Sequence, residues 1–405
     1  MSNHQQLQRK TLKTLTVAQI GAGVGTAGTV AAGSLLVASI TGSEELAGLA
    51  QTFSVLGAAA LAIPLARLTS SGGRRRALSI GYAAGVVGSI FAILGGVNSN
   101  IYLMLTGSFL VGSASASAYQ ARFAAIDLVE EAHRAKQLSY VVWGSTVGAV
   151  TGPNLMSPAG DLAEKLNLPR LTGPYLISAF TLTFAALLIY LFLKPDPYLT
   201  ALGDGKSYSG GKKHVKEALS HIWHKPIALF AILSIAIGHV AMVSVMVMTP
   251  VHMAHVDVTL TIIGLVISVH VLGMYAFSPL VGALTDRLGR LRVIQIGVAI
   301  LLSSALISGF ARADDAITLG IGLFLLGLGW SCTLIAGSAL LTESVAPEFK
   351  SASQGASDLV MNLSGASGGA IAGVVIATLS YGWLCLLSAI PVALLGLWSL
   401  KIKAR

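Results

Sequence analysis

Long apolar stretches follow one another along this chain, and charge is confined to the gaps between them. Each stretch is near the ~20 residues that a helix needs to cross a bilayer core. Twelve spans are predicted, at 14–40, 45–66, 77–97, 101–123, 137–157, 173–193, 226–249, 259–281, 293–311, 317–341, 353–378 and 381–400. The longest polar interval, 194–225, opens Lys-Pro-Asp-Pro, passes through a Gly/Ser-rich patch and ends in a basic run. It reads as a linker between two six-span halves, 1–193 and 226–405. The predicted fold is an all-α membrane protein of twelve transmembrane helices.

Composition agrees with this pattern. Of 405 residues, 54% are hydrophobic and 11% charged, where a soluble chain would be about a quarter charged. The lipid bilayer is thus an expected partner. The net charge of +9 does not point to nucleic acid, because its distribution follows topology. Among the loop lysines and arginines, only Lys165, Arg170 and Arg312 fall on one side of the twelve spans, and the rest fall with the termini. By the positive-inside rule both termini are expected to be cytoplasmic. Cys332 and Cys385 lie inside apolar runs with no CxxC spacing, so no disulfide framework is implied. Gly205 to Lys213 is the nearest approach to a phosphate-binding loop, but its spacing is wrong and no Ser or Thr follows the lysine. With no HExxH, no G-x-S-x-G and no cofactor fingerprint, neither an enzyme nor a prosthetic group is expected.

The halves repeat at an offset of 216 residues. Leu68, Thr69, Gly73, Arg74 and Arg76 align with Leu284, Thr285, Gly289, Arg290 and Arg292, and Asp127 and Arg134 with Glu343 and Lys350. Related halves are expected of transporters that hold their site between repeats.

Candidate chemistry is concentrated between His239 and Met274, which hold nine of the 18 methionines and histidines. Met242-x-x-x-Met246 and His270-x-x-x-Met274 each put two donors on one helix face, and His239 shares the first of these faces. Met also fills gaps in apolar cores, but histidine inside a span is expensive and usually functional. Thioether sulfur and imidazole nitrogen suit copper, and Met favours Cu(I). The expected metal site is Met242, Met246, His270 and Met274, with His239 as a fifth donor. His239 lies nine residues below Met248, and His270 eleven below Thr259. Both rings are therefore expected roughly 14–17 Å deep at ~1.5 Å per residue. Met248, His252, Met253 and His255 continue the donors toward the outer mouth. Asp358, about five residues into its span, and Arg122, one residue from the inner end of its span, are ionisable residues other than histidine inside the predicted spans, so they are expected to couple or gate transport.

Gly282-Ala-Leu-Thr-Asp286-Arg287-Leu-Gly289-Arg290 resembles the loop motif G-x-L-x-D-R-x-G-R of the major facilitator superfamily. The resemblance implies that Asp286, Arg287 and Arg290 gate the cycle, the acid resting near the start of a neighbouring half's helix. In the first-half copy Ser70 and Ser71 replace the Asp-Arg pair. MxxxM on span seven and HxxxM on span eight resemble the CcoA-type copper importers. The run from Tyr119 to Asp127 resembles that group and its relatives, some of which carry riboflavin. This resemblance implies a monomeric secondary transporter of the bacterial inner membrane that imports copper as its substrate. Cytochrome oxidase assembly factors would receive the metal. The alternatives are a flavin or drug-like solute carrier of the same superfamily and a non-transporting membrane copper receptor.

Overall fold

In hydrocarbon a backbone must satisfy its own N–H and C=O groups, so apolar stretches of this length fold as helices. The computed structural model describes residues 3–43, 46, 48–203, 217, 220, 222–254, 256, 258 and 260–402, and among them there is no strand. The first-half helices are α1 (Asn3–Thr41), α2 (Leu49–Val97), α3 (Ile101–Ala124), α4 (Arg134–Asn154), α5 (Met156–Lys165), α6 (Gly173–Phe192) and the short α7 (Pro197–Leu202). The second half has α8 (Pro226–Ala254), α9 (Leu260–Val271), α10 (Ser278–Leu288), α11 (Arg290–Phe310), α12 (Ala316–Ser344), α13 (Lys350–Thr378) and α14 (Tyr381–Ser399). His255, Asp257, Thr259 and half of the 194–225 linker lie outside the described residues.

Every predicted span holds a helix, with informative differences. Among the described residues nine helices are long and apolar enough to cross a membrane, or ten counting one bent pair. Spans two and three are continuous as α2, broken only at Gly73, whose φ of 83° is non-helical. Span five, α4, carries Lys136, Gln137, Ser139, Ser145 and Thr146 and falls short on apolarity. Span eight is the bent pair: α9, a π-helical turn at Leu272–Ala276, then α10 after a 40° bend. Span seven runs on to Ala254, past its predicted end at 249.

The chain divides into two compact units. One comprises Met1–Val129, Gly144–Lys216 and Pro347–Leu359, and the other Glu130–Trp143, Glu217–Ala346 and Val360–Arg405. Relative to the halves read from the sequence, residues 130–143 and 347–359 are exchanged.

Small residues bring the helices together inside each unit. In the first, Gly57 of α2 lies against the Phe109 backbone of α3, Gly81 against Ser117, and Gly112 against the Ser54 carbonyl. In the second, Gly297 of α11 lies against Cys332 of α12, and Gly322 against Ser308. Lipid is as apolar as leucine, so close backbone approach and dispersion hold such helices together. Large apolar side chains such as Phe180, Leu280, Phe310 and Ile317 stay exposed on the outside, as a lipid-facing surface requires.

Candidate transport site and gating motifs

The five predicted donors lie on α8 (His239, Met242, Met246) and span eight (His270, Met274), and both segments pack on α12. Span eight runs parallel to α12 in a fixed register: His270 bonds Leu323, Gly327 lies against Met274 N, and Ser278 Oγ is 3.3 Å from Ser331 Oγ. α8 runs antiparallel to α12, with Trp330 bonding His239 and Thr333 against Gly238. Carried from His239 and Trp330 toward the Ala254 end of α8, this second register brings Met242 level with Gly327, and so with Met274. One turn further along it brings Met246 level with Leu323, and so with His270. Two donors therefore stand at each of two levels, four residues or ~6 Å apart. Met242 and Met274 are buried, and Met246 is half-buried.

His270 is fully buried. Its Nδ1 lies 2.7 Å from the Leu323 carbonyl, which accepts only from a protonated nitrogen. In the neutral ring Nε2 therefore keeps its lone pair, and Nε2 has no hydrogen-bond partner. An imidazole fixed through Nδ1–H to a backbone carbonyl, with Nε2 open, is the form in which histidine ligates a metal.

His239 departs from its expected role. Trp330 Nε1 donates to its Nδ1 at 3.0 Å. The neutral ring then carries its proton on Nε2, the atom that packs against Gly365. Neither nitrogen of His239 presents a lone pair in this arrangement. The predicted common depth of the two histidines also fails, because α8 extends beyond 249 and shifts the count. By the α12 register His239 lies seven residues, or ~10 Å, nearer the Ser344 end of α12 than His270. Near the Ala254 end of α8, Met253 is buried, and His252 stacks on Tyr381 with centroids 4.3 Å apart.

The π-helical turn around Met274 was not predicted. Pro279 explains it: lacking an N–H, it cannot bond the Tyr275 carbonyl, so the helix is released just before α10. Such turns often mark functional sites, and Gly273 with Pro279 was the available signal.

Asp286, half-buried, accepts from the backbone N–H groups of Ala135 at 3.1 Å and Lys136 at 2.9 Å. The carboxylate thus caps the first turn of α4, where free N–H groups and the helix dipole favour negative charge. Arg290 reaches Glu343 through Nε at 3.1 Å and Nη2 at 2.8 Å, and also the Glu131 carbonyl. Arg287 is exposed. Ser70, at the first-half position of Asp286, bonds only the Ala66 and Arg67 carbonyls of its own helix.

The first unit holds a buried polar network instead. Arg122 Nη2 donates to Asp358 Oδ1 at 2.6 Å, and Gln120 Nε2 donates to Asp358 Oδ2 at 2.9 Å. Gln120 Oε1 in turn accepts from Arg74, which holds Asp127 through two bonds and Gln354 at 2.7 Å. Two cations and two anions are thereby matched away from water. Arg122 and Asp358 were predicted; Gln120 and Gln354 were not, since neutral amides carry no signal in a charge census, and Arg74 was read only as part of the repeated loop motif.

Comparison with known proteins rests on nearly the whole chain. The chain is 35% identical over 389 residues to the uncharacterized MFS-type transporter YddS of Bacillus subtilis (strain 168), covering 95% of this chain and 89% of that one. It is 25% identical over 359 residues to the riboflavin transporter RfnT of Brucella anthropi, covering 87% and 85%. Its fold matches the E. coli fucose:proton symporter FucP with a TM-score of 0.76 at 16% identity, over 97% of this chain and 98% of that one. The sequence model of the Major Facilitator Superfamily matches residues 15–257 and 240–405, and the chain belongs to that superfamily of membrane transporters.

Proposed function

We propose that this transporter imports copper across the bacterial inner membrane, both termini cytoplasmic, and supplies the assembly of haem-copper oxidases. The observation that carries the reading is the buried Nε2 of His270, open and level with Met246, one turn outward of Met242 and Met274. Cu(I) is the ion that two or three thioethers and one neutral imidazole suit. Mg²⁺ and Ca²⁺ want oxygen ligands, and thioethers serve Zn²⁺ poorly. Asp358, held by Arg122 and Gln120, is the coupling charge in this reading, and Asp286 at the start of α4 is the gate.

The test is copper uptake into sealed vesicles. Met242→Ala and His270→Ala should each abolish uptake while the protein still reaches the membrane, and His239→Ala should retain most of it. Normal uptake by both well-expressed variants would discard the copper reading. RfnT supports a second reading, flavin carriage, with the same residues lining an apolar path. Riboflavin competing with copper in the same assay, or itself accumulating, would favour that carrier.

A further inference from the structure

At the end of the first unit where α1 begins and α6 ends, a hollow of about 420 Å³ is lined by Gln6, Arg9, Lys10, Lys13, Thr14 and Phe192. Three of these six residues are cations, and none is an acid. Lys10 Nζ donates to the Lys194 carbonyl at 2.9 Å, which holds one ammonium at the rim and leaves it two further N–H donors. Beside the hollow, Arg75 and Lys194 each lie 5.5 Å from the Tyr190 ring centroid, adding positive charge. Asp196, on the loop after Phe192, is engaged by the backbone N–H groups of Arg75, Tyr198 and Leu199.

One face of α6 carries an exposed apolar stripe that ends at Leu191, the residue before Phe192. Phe180, Phe184, Leu187 and Leu191 recur at i, i+4, i+7 and i+11, so they form one stripe along the helix, and all four are exposed. Phe192, exposed as well, forms the apolar edge of the hollow. A free anion would use the cations but not the stripe. A molecule with an anionic head and hydrocarbon tails uses both.

We infer that this hollow is a binding site for an anionic phospholipid, its phosphodiester held by Arg9, Lys10 and Lys13 and its acyl chains laid along α6. Cation clusters at the ends of membrane helices recognise such headgroups, with ~1 kcal/mol from each Lys or Arg near the surface. That corresponds to about fivefold in affinity per charge.

The full-length protein in detergent is mixed with phosphatidylglycerol, phosphatidylcholine or inorganic phosphate, and retained lipid is counted by native mass spectrometry. Phosphatidylglycerol should be retained at least about 25-fold over phosphatidylcholine, the factor expected for two charges at about fivefold each. Lys10→Gln/Lys13→Gln should lose most of that preference, whereas Lys401→Gln, which removes an exposed charge at the end of α14, should keep it. A photoreactive phosphatidylglycerol on the wild-type protein should label the start of α1 and the end of α6, a readout that needs no variant to fold. Equal retention of both lipids, an unchanged preference in the double variant, or labelling elsewhere would overturn the lipid site. Displacement of the lipid by millimolar inorganic phosphate would overturn it in favour of a simple anion site.

Discussion

A single residue type behaves differently at each position where this chain uses it, and burial with partner geometry decides which behaviour results. His270 and His239 are both buried, yet one keeps Nε2 open and the other spends its lone pair on Trp330. The sequence shows two histidines at helical spacing from methionines and cannot distinguish them, because the distinction lies in Leu323 and Trp330 on another helix. Asp358 and Arg122 were legible as charges inside spans, and their pairing was not. Breaking such a pair leaves an uncompensated charge in a dry interior, at a cost of about 3–5 kcal/mol. Asp358→Asn and Arg122→Gln should each lower the thermal midpoint in detergent clearly, and the double substitution should recover part of the loss. In sealed vesicles, uptake by Asp358→Asn should lose its pH dependence; a full pH response in that variant would remove Asp358 from the coupling role.

The elements were legible wherever apolar length alone determines them, and misread where a single backbone position breaks or continues a helix. Gly73 and Gly289 occupy matching places in the two loop motifs, with φ of 83° and 93°, a region costly for any residue with a Cβ. At Gly289 a Cβ would meet nothing within 4 Å, while at Gly73 it would meet the Asp196 carboxylate. Gly289→Ala should therefore cost about 1–3 kcal/mol, the conformational term alone, and Gly73→Ala should cost more. Thermal unfolding of the two purified variants ranks them, and the reverse order would contradict the contact at Asp196. Span eight was read as one straight helix because periodicity does not register a missing N–H. Pro279→Ala restores that donor, so the π-helical turn should relax toward α-helix. If the turn serves to aim Met274, copper uptake should fall with no loss of expression.

At the scale of the whole molecule the repeated motif does not make the same contacts twice. In the second-half motif Asp286 offers a charged carboxylate to the first turn of α4. In the first-half motif Ser70 is turned back on its own helix, and buried Asp358 is bonded by Arg122 and Gln120 instead. The sequence showed the asymmetry at residue 70 but not its replacement, because Asp358 has no acidic mate at the 216-residue offset. Asp286→Asn keeps an oxygen that can accept one N–H and removes the charge. The loss is then the charge–dipole part, about 0.3–1 kcal/mol, or roughly two- to fivefold in the balance between conformations. Asp286→Ala also removes the cap itself, typically ~1 kcal/mol more. Transport rate should therefore fall in the order wild type, Asp286→Asn, Asp286→Ala, with substrate affinity little changed, because the balance of states shifts while the donor set does not. Ser70→Ala removes bonds that stay within one helix turn, and its rate should match the wild type. Rates and affinities measured side by side in vesicles decide the matter: equal damage from Ser70→Ala would mean that both loops gate alike, and a loss of affinity in Asp286→Asn would move Asp286 from the latch to the site.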